Sequence, residues 1–518
     1  MNFYFRTNAS PNLGIGHVMR TSRVAKKLKK FGHNCFFYLD NYSKSIDVLK
    51  NFKVHYLYKN RSFFKNQVLD AKLFLKNIEN EKGIVVVDDY RLDNTWEKII
   101  YQENHKVVIF DDLNNRKHFA NVYINYKPDF YIKSNFNKKN ILKKNCKILL
   151  GPKYNIIECK HKKNTKKSRF LKVVFYTGGG SNLKTIYNIL RYFLASKENI
   201  LKNIKVIVIL GPMSSDKQFI FQLVKKYKNV EVINNHYNID KIIANADLII
   251  GSAGNLVYEA SFYKIPSLFF QISKNQINDF LSMEKLGHYF ILPKKNMEQK
   301  RDISILILSM IKNYSKLSKI LKNTEIRIDN KGLDRVVESI LNKKLIKNNV
   351  CFANKKNSYK NLEIRKVNFT DINHYLFTRN LKKNRIVSIS NKKISTLDHY
   401  KWWLNTKRES YLLTKKGEKL MYFYDETINF NGLNYSTQGW FAISDNCSLQ
   451  NILYALNWQK KFIAKKKDIK KSLGIISKKN KINFSKYLGW NPVGKNSYLG
   501  NILKQHYKVN KNYLFYSR

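Results

Sequence analysis

The sequence predicts two doubly wound α/β domains followed by a smaller α+β domain. Continuous Val/Ile runs alternate with amphipathic stretches, and a glycine-rich turn follows the first strand of each α/β half. Such apolar runs between helices are typical of parallel sheets covered on both faces. At 518 residues the chain is also too long for one hydrophobic core. We therefore expect Rossmann-like domains over 1–158 and 159–342, a linker over 343–360 and a third domain over 361–518.

The first twenty residues combine a strand, a turn and the start of a helix. The strand 2–6 leads into a turn that contains Gly14 and Gly16, and the helical spacing that follows is formed by Val24, Leu28 and Phe31 and ends at Gly32. Glycines allow close backbone approach to a ligand, and the free N–H groups of a helix start attract anions. His17 lies at this point, where imidazole suits proton transfer near neutral pH. We predict a catalytic His17; a purely structural histidine is the alternative.

Acidic residues follow two later strands of the first half. Asp88-Asp89-Tyr90 follows the run 84–87, and Asp111-Asp112 follows the run 106–110. Ligands of open α/β sheets bind beyond the carboxyl ends of the strands, so these residues are candidates for a site. Acids at such positions also cap helices, and for each pair both interpretations stay open.

The second half contains two further glycine-rich turns after strands. The strand 171–176 runs into Gly178-Gly179-Gly180, which predicts an anion-binding concavity, with a plain flexible turn as the alternative. The strand 247–250 leads into small residues and then a helix whose first turns carry Glu259. A carboxylate there is placed to accept hydrogen bonds from ribose hydroxyls. Asn275 and Gln276 follow another strand. Together these features predict a two-domain sugar-nucleotide enzyme with its site in the cleft.

The charge of the chain is strongly positive. Lys and Arg number 96 against 37 acidic residues, a net charge of +59 that comes mostly from lysines spread over every segment. Arginine, the better reader of phosphates and bases, is scarce, so we expect no specific nucleic-acid partner but an attraction for anionic substrates. The five cysteines are scattered without C-x-x-C spacing, which indicates reduced thiols. We find no apolar run long enough for a membrane span and no signal peptide, and expect a cytoplasmic protein.

The motifs, taken in order, resemble the UDP-sugar hydrolases of pseudaminic acid biosynthesis, which act on UDP-2,4-diacetamido-2,4,6-trideoxy-β-L-altropyranose. The similarity covers roughly residues 1–342 and is carried by Arg6-Thr7-Asn8-Ala9-Ser10, Gly14-Ile15-Gly16-His17-Val18-Met19-Arg20, Asp88-Asp89-Tyr90, Phe110-Asp111-Asp112, Gly178-Gly179-Gly180, Gly251-Ser252-Ala253-Gly254, Tyr258-Glu259, Asn275-Gln276 and Asp334-Arg335-Val336-Val337. The resemblance implies a glycosyltransferase-B-like (GT-B-like) fold. It also implies that water attacks C1 of the sugar and releases UDP with inversion and without a metal.

The resemblance also implies residue roles. His17 matches the catalytic histidine. Residues on the sugar side are Arg6, Asn8, Gly14, Gly16, Arg20, Tyr90, Asn275 and Gln276. Residues that hold UDP are Gly178, Gly179, Gly180, Ser252, Asn255 and Glu259. The chain departs from the family pattern at Asn8, where the family has an acid, and this departure predicts reduced activity or a different substrate if that acid orients His17 or the water.

The C-terminal third resembles the GNAT acetyltransferases, and among them the N-acetyltransferase of the same pathway. The similarity covers about 361–518 and is carried by Arg379-Asn380, residues 394–403, Gly474-Ile475-Ile476, Asn480 and Tyr487-Leu488-Gly489-Trp490. It implies acetyl-CoA as a co-substrate, with Asn480 and Tyr487 at the site; Tyr487 is either a general acid for the departing thiolate or a packing residue beside Trp490. The family's glycine turn for pyrophosphate is expected after the strand 439–443, but residues 444–452 contain no glycine. A module that only recognises the sugar nucleotide is therefore the alternative to an active transferase.

These observations lead to one leading hypothesis and two alternatives. We expect a bifunctional enzyme that N-acetylates a UDP-amino sugar and then hydrolyses the product at C1. The first alternative is a GT-B glycosyltransferase that passes a sugar from UDP to an acceptor. The second is a lysine-rich nucleic-acid-binding protein with a vestigial nucleotide fold, which would show steep salt-dependent RNA affinity and no UDP-sugar turnover.

Overall fold

The computed structural model describes residues 1–10, 14–40, 47–58, 64–78, 82–131, 136–163, 170–180, 183–196, 198–234, 239–271, 280–321, 324–343, 361–443, 445–477, 488–509 and 513–518. Four predicted site residues lie outside this set: Asn275, Gln276, Asn480 and Tyr487. The chain divides into two compact units, unit 1 over Met1–Ala353 and unit 2 over Asn354–Arg518.

The first domain of unit 1 is a seven-stranded sheet in which every recorded strand pairing is parallel. Its strands are β1 (Asn2–Thr7), β2 (Asn34–Leu39), β3 (Lys53–Tyr56), β4 (Gly83–Asp88), β5 (Lys106–Phe110), β6 (Val122–Asn125) and β7 (Lys147–Leu150). Its helices are α1 (Gly16–Lys30), α2 (Gln67–Asn77) and α3 (Asn94–Gln102). The order β3-β2-β1-β4-β5-β6-β7 reverses direction between β1 and β4. Ligands of such sheets bind at this reversal, beyond the carboxyl ends of the two strands.

The second domain of unit 1 repeats this plan with six strands in the order β10-β9-β8-β11-β12-β13. The strands are β8 (Leu171–Tyr176), β9 (Ile204–Leu210), β10 (Val230–Asn234), β11 (Leu248–Ser252), β12 (Ser267–Phe270) and β13 (Phe290–Leu292). The helices are α4 (Lys184–Leu194), α5 (Lys217–Val224), α6 (Asp240–Ala244), α7 (Leu256–Phe262), α8 (Phe280–Lys285), α9 (Lys300–Lys312), α10 (Tyr314–Ile320) and α11 (Gly332–Leu341). The reversal falls between β8 and β11, the strands that precede the two predicted nucleotide turns.

Helix α11 returns the chain to the first domain. Lys27 of α1 forms a 2.5 Å ion pair with Asp334 of α11, and Arg335 donates to the carbonyl of Lys153 at 3.0 Å. At the start of α11 the backbone passes so close to residue 155 that a Cβ on Gly332 would lie 2.2 Å from the Asn155 carbonyl oxygen. One continuous apolar core contains buried residues of both domains, so they pack as a single body.

Unit 2 is built on a seven-stranded mixed sheet in the order β14-β15-β16-β17-β18-β20-β19. Its strands are β14 (Glu363–Lys366), β15 (Glu409–Lys415), β16 (Glu418–Phe430), β17 (Leu433–Ala442), β18 (Ile469–Ser477), β19 (Asn491–Val493) and β20 (Tyr513–Ser517). Its helices are α12 (Ile372–Arg379), α13 (Lys382–Ile386), α14 (Thr396–Asn405), α15 (Leu449–Ala464) and α16 (Tyr498–Tyr507). All recorded strand pairs are antiparallel except β17 with β18, which is parallel from Asn434↔Ile469 to Thr437↔Leu473.

Several local expectations need correction. The strands β6 and β7 were not predicted, because in the described part of the chain no α-helix separates β5, β6 and β7, so the strand–helix alternation on which the other predictions rest is missing there. Helix α1 ends at Lys30, and Phe31 is a cap residue that is 42% exposed rather than part of the apolar face. Gly32 does follow the helix with a φ of +79°, which is the left-handed region that favours glycine. In the described part of the chain, no helix has the length and apolar content needed to cross a bilayer.

Candidate functional site

His17 lies at the second position of α1, directly after the turn that leaves β1. Its Nδ1 is 2.6 Å from Oδ1 of Asp88, the last residue of β4, which pairs with β1 at Thr7. Asp88 is fully buried and His17 is 8% exposed. The sheet reversal therefore brings together a histidine and a carboxylate that are 71 residues apart in sequence.

Arg20, one turn further along α1, holds the same carboxylate from a second side. Its Nε donates to Asp88 Oδ2 at 2.8 Å and its Nη2 donates to Asp88 Oδ1 at 2.6 Å. Its Nη1 donates to both carboxylate oxygens of Asp112 at 2.8 and 3.0 Å. This bidentate geometry is rigid, so Arg20 fixes the plane of the carboxylate that contacts the imidazole.

The electrostatics of the cluster favour a charged network. Burial acts to lower the pKa of His17, but the adjacent Asp88 carboxylate outweighs burial and raises that pKa above its ordinary value of 6.5. Burial likewise opposes ionisation of Asp112, but Arg20 lowers its pKa to about 2. Since Nδ1 is engaged by Asp88, the neutral imidazole carries its proton there and Nε2 is the nitrogen left to accept one.

Tyr90 is the third predicted residue that joins this cluster. Its hydroxyl donates to Asp112 Oδ2 at 2.7 Å, and its ring meets the His17 ring edge-to-face with centroids 4.6 Å apart. Because the hydroxyl donates to Asp112, the contact of Tyr90 with the imidazole is one of ring packing.

In each of the two acid pairs, Asp88-Asp89 and Asp111-Asp112, the two carboxylates have different partners. Asp88 and Asp112 form the cluster around His17 and Arg20. Asp89 instead binds Arg91, with distances of 2.9 and 2.5 Å. Asp111 accepts the backbone N–H groups of residues 113 and 114 and the hydroxyl of Tyr123. One acid of each pair therefore lies at the candidate site and the other stabilises a turn or a neighbouring side chain.

Arg6 and Asn8 are buried and bound to protein groups. Arg6 is 0% exposed; its guanidinium donates to Asp70 at 2.7 and 3.1 Å and to Asp40 at 2.7 Å. Asn8 donates to the other oxygen of Asp40 at 2.8 Å. In this arrangement Arg6 has no surface left for a substrate, contrary to its predicted place on the sugar side. The acid that orients His17 is Asp88, not the residue at position 8.

The glycine turns of the two domains meet beside His17. Gly14 has a φ of +73°, and a Cβ built on it would lie 3.5 Å from the backbone N of Gly180. A Cβ on Gly180 would lie 2.7 Å from the Gly14 Cα, and one on Gly179 would lie 2.2 Å from Ile15 Cγ1. Only glycine allows this close approach. The predicted anion cradle thus meets the first domain at Gly14 and Ile15, three and two residues before the predicted catalytic histidine.

The predicted nucleotide residues line the second side of this junction. Ser252 donates to the carbonyl of Thr177 at 3.0 Å, which ties the end of β11 to the turn after β8. Burial raises the pKa of Glu259 above its ordinary value of 4.5. Its Oε1 accepts a hydrogen bond from Nη2 of Arg23, on α1, at 3.3 Å. A ribose that binds Glu259 must therefore share or displace Arg23.

Two residues of this region were not predicted, Tyr126 and Arg23. Tyr126 follows the unpredicted β6; its hydroxyl accepts Arg20 Nη1 at 3.0 Å and donates to Asn255 Oδ1 at 3.1 Å. Arg23 is spaced three residues after Arg20, as Arg20 is after His17, which places the three on one helix face. The three-residue spacing was the sequence signal by which Arg23 could have been predicted. Tyr126 had no such signal, because the strand that precedes it, β6, was not predicted.

Unit 2 contains a cavity of about 770 Å³ next to the parallel strand pair. Its lining includes residues 438–441 of β17 and 474–476 of β18, which follow the last paired residues Thr437 and Leu473. The strands therefore separate where the cavity opens. Its aromatic walls include Tyr375, Trp402, Tyr424, Trp440, Phe441, Trp490 and Tyr507.

The cavity of unit 2 is rich in guanidinium groups. Arg408 pairs with Glu426 at 2.8 Å, and Glu426 is the single acid among the described lining residues. Nη1 of Arg379 is buried without a hydrogen-bond partner in the described part of the unit. Burial lowers the pKa of Arg518, which lies 4.7 Å over the Trp490 ring, to about 10. Two desolvated cations that have no acidic partner among the described residues give the cavity a preference for an anionic ligand.

Comparisons with known proteins agree with the architecture of unit 1. Residues 156–336 match the glycosyltransferase family 28 C-terminal domain. The chain is 25% identical over 292 residues to the UDP-2,4-diacetamido-2,4,6-trideoxy-beta-L-altropyranose hydrolase of Campylobacter jejuni, covering 56% of this chain and 98% of that protein. It is 28% identical over 272 residues to an uncharacterized protein of Methanocaldococcus jannaschii, covering 50% of this chain and 53% of that protein. The chain therefore spans about half the length of the archaeal relative.

Similar solved structures include MurG of Acinetobacter baumannii, with a TM-score of 0.43, 14% identity and coverage of 66% of this chain and 100% of that one. Another is the UDP-GlcNAc 2-epimerase of Neisseria meningitidis, with a TM-score of 0.44, 12% identity and the same coverage. At these TM-scores the similarities add nothing to the topology described above. The paired Rossmann-type sheets and the family 28 match give unit 1 a GT-B-like fold.

Proposed function

We propose that unit 1 hydrolyses a UDP-linked 2,4-diacetamido-2,4,6-trideoxyhexose at C1 and releases UDP, with inversion and without a metal. The observation that carries the proposal is the His17–Asp88 pair held beside the junction of the two glycine turns. The similarity to the Campylobacter hydrolase, over 98% of that protein's length, supports the same substrate class.

In the proposed reaction, His17 Nε2 accepts a proton from a water molecule as the water oxygen bonds to C1. The C1–O bond breaks with its electron pair going to the diphosphate, and His17 later returns its proton to solvent. Asp88 stabilises the imidazolium that forms and keeps its ring in place. Backbone N–H groups of Gly179 and Gly180, with the start of α1, stabilise the charge that develops on the leaving diphosphate.

The other roles are assigned as follows. Tyr90 contacts the sugar, and Ser252, Asn255 and Glu259 hold the uridine. Asn275, which lies outside the described residues, remains a proposed sugar contact on the sequence resemblance alone. Arg6 and Asn8 bind Asp40 rather than the sugar. Because Asp88 supplies the orienting carboxylate, asparagine at position 8 is compatible with activity.

The test is incubation of the full chain with the UDP-sugar alone, followed by ¹H and ³¹P NMR. We expect equimolar UDP and free sugar with no acceptor present. A glycosyltransferase would leave the UDP-sugar intact until an acceptor is added, and that result would overturn the hydrolase proposal. A binding protein for nucleic acid would give no turnover and an RNA affinity that falls steeply with salt.

We propose further that unit 2 transfers an acetyl group from acetyl-CoA to the amino group of a UDP-amino sugar, the step that precedes hydrolysis. Support comes from the cavity at the diverging strands and from its two guanidinium groups, Arg379 and Arg518, which have no acidic partner among the described residues and suit a ligand with phosphates. Asn480 and Tyr487 remain the proposed site residues. The product of unit 2 would be the substrate of unit 1.

The test for unit 2 is release of CoA thiol on mixing acetyl-CoA with the UDP-4-amino sugar, alongside a thermal shift of the full chain. We expect acetyl-CoA to raise the melting temperature and thiol to appear only when the amino sugar is present. Stabilisation by the UDP-sugar with a flat response to acetyl-CoA, measured in His17→Ala protein, would leave the recognition module as the function of unit 2.

A further inference from the structure

Tyr126 connects the two domains of unit 1 at the candidate site. It follows β6 in the first domain, is 3% exposed, and its hydroxyl lies between Arg20 of the first domain and Asn255 of the second. Arg20 also holds Asp88, the partner of His17. One hydroxyl therefore joins the histidine network to a predicted nucleotide residue.

The direction of the hydrogen bonds is fixed by chemistry. A guanidinium has only donors, so the Tyr126 oxygen accepts from Arg20 and its single proton goes to Asn255. Burial raises the pKa of Tyr126 to about 12, so the phenol keeps that proton over the working pH range. The Asn255 side chain must then present its carbonyl Oδ1 to Tyr126 at 3.1 Å.

This constraint determines what Asn255 offers to a ligand. With Oδ1 engaged, the amide nitrogen is the free end of the side chain, and among the described residues none accepts a hydrogen bond from it. Asn255 is half-buried, at the start of α7 and after β11, where the second sheet reverses. The free end is thus a pair of N–H donors at the predicted nucleotide pocket.

We propose that Tyr126 is a positioning residue that locks the Asn255 amide with its NH₂ group toward an acceptor oxygen of the UDP moiety. Without the phenol, the amide rotates and presents either its oxygen or its nitrogen, and the oxygen repels the oxygens of the nucleotide. The proposal rests on UDP binding in unit 1 as described under the proposed function.

Tyr258 offers a matched control. Its hydroxyl donates to the main-chain carbonyl of Tyr126 at 2.9 Å, and the two rings lie 5.5 Å apart edge-to-face. Tyr258→Phe removes a buried tyrosine hydroxyl from the same domain boundary but leaves the Arg20–Tyr126–Asn255 connection intact. A general effect of weakened domain contact would therefore appear in both variants.

The experiment is calorimetric titration of UDP into wild type, Tyr126→Phe, Tyr258→Phe, Asn255→Ala and the double variant Tyr126→Phe/Asn255→Ala. We expect Tyr126→Phe to weaken UDP binding about tenfold, and Tyr258→Phe by about threefold or less. The double variant should bind no more weakly than Asn255→Ala alone, because the phenol acts through that amide. With the UDP-sugar, Tyr126→Phe should raise KM about tenfold and leave kcat within about threefold.

The proposal would be overturned by a UDP affinity of Tyr126→Phe within twofold of wild type, or by additive losses in the double variant. Equal losses in Tyr126→Phe and Tyr258→Phe, with equal drops in melting temperature, would also overturn it and indicate a structural role. Wild type that binds no UDP would overturn the proposed function together with this inference. Wild type that binds UDP but hydrolyses nothing would overturn only the hydrolase.

Discussion

Asp88→Asn tests the role of the carboxylate between His17 and Arg20. The change keeps the shape of the side chain and removes one negative charge from a fully buried position. The Asp88 carboxylate accepts three hydrogen bonds, one from His17 at 2.6 Å and two from Arg20 at 2.6 and 2.8 Å. An asparagine amide has only one acceptor atom, and its NH₂ group would face a donor of His17 or Arg20. The imidazole loses its fixed tautomer and the stabilisation of its protonated form.

We expect kcat/KM for UDP release to fall about 10³-fold, the middle of the range for a general base and equal to about 4 kcal/mol of activation free energy. Stability should fall as well. Removing one partner of a buried ion pair costs about 3–5 kcal/mol, and we expect the lower end because Asp112 still accepts from Arg20. Urea unfolding measures this loss, and assays run well below the unfolding midpoint separate it from the loss of activity.

The pH dependence gives a signature that instability cannot mimic. A general base must be neutral, so the wild-type rate rises with pH through the His17 pKa, which Asp88 holds above 6.5. In Asp88→Asn the main influence that raises the pKa of His17 is lost, while burial and the Arg20 charge still lower it, so the half-maximal rate moves to lower pH. The dependence of stability on pH has the corresponding sign, because the pKa of His17 is higher in the folded than in the unfolded protein. Protonated His17 stabilises the wild-type fold below about pH 6.5, and this contribution is lost as pH rises through the folded pKa.

The matched control is Asp89→Asn, the adjacent acid that binds Arg91 instead. It should leave the profile of kcat/KM against pH in place and change its height by less than about threefold. If Asp88→Asn keeps more than a third of wild-type activity, or its profile coincides with that of wild type, the argument for an oriented base is refuted.

Three further outcomes follow from the same geometry. Gly179→Ala should raise KM for the UDP-sugar at least tenfold, because the new Cβ would overlap the Ile15 side chain. Adding Ile15→Ala should restore part of the lost affinity. In the control Gly254→Ala the new Cβ meets nothing within 4 Å, so KM should stay within about twofold of wild type. Asp70→Asn should cost about 3–5 kcal/mol of unfolding free energy in urea, because Arg6 and Trp96 both donate to that buried carboxylate; an unchanged midpoint would refute the supporting role. Arg20 lowers the pKa of Asp112 to about 2, so the stabilisation by the Asp112 carboxylate is complete above its ordinary pKa and is lost as pH falls through the folded value. In Asp112→Asn the fall in stability between pH 5 and pH 2 should therefore be shallower than in wild type, and an equally steep fall would contradict the lowered pKa.

The parts of the fold that the sequence predicted are those with local signals. Buried strands such as β4 and β8 are continuous apolar runs, which are typical of parallel sheets covered on both faces. The glycines after β1 and β8 indicate tight turns. Strands β6 and β7 have no such signal, because among the described residues no α-helix separates them from β5 or from each other. Because β6 was not predicted, Tyr126 was not predicted as a site residue either. Its place at the edge of the site follows only from its position directly after that strand.

Residue roles were harder to predict than positions. Arg6 lies in the middle of the site motif, yet its register in β1 points its guanidinium toward Asp70, and no local pattern distinguishes that direction from the ligand side. The acid pairs show the same limit. Whether Asp88 or Asp89 faces the histidine depends on which strand end pairs with β1, which is a tertiary fact.

The central claim is that water attacks C1 of a UDP-linked sugar with His17 as the base. Turnover in H₂¹⁸O, followed by mass spectrometry of the released UDP, tests it most directly. The account predicts UDP without ¹⁸O, because the C1–O bond breaks and the bridging oxygen stays with the diphosphate, and no UDP release by His17→Ala, which should still bind UDP within a few-fold of wild type. UDP that carries ¹⁸O in its terminal phosphate, or unchanged turnover by His17→Ala, would contradict it.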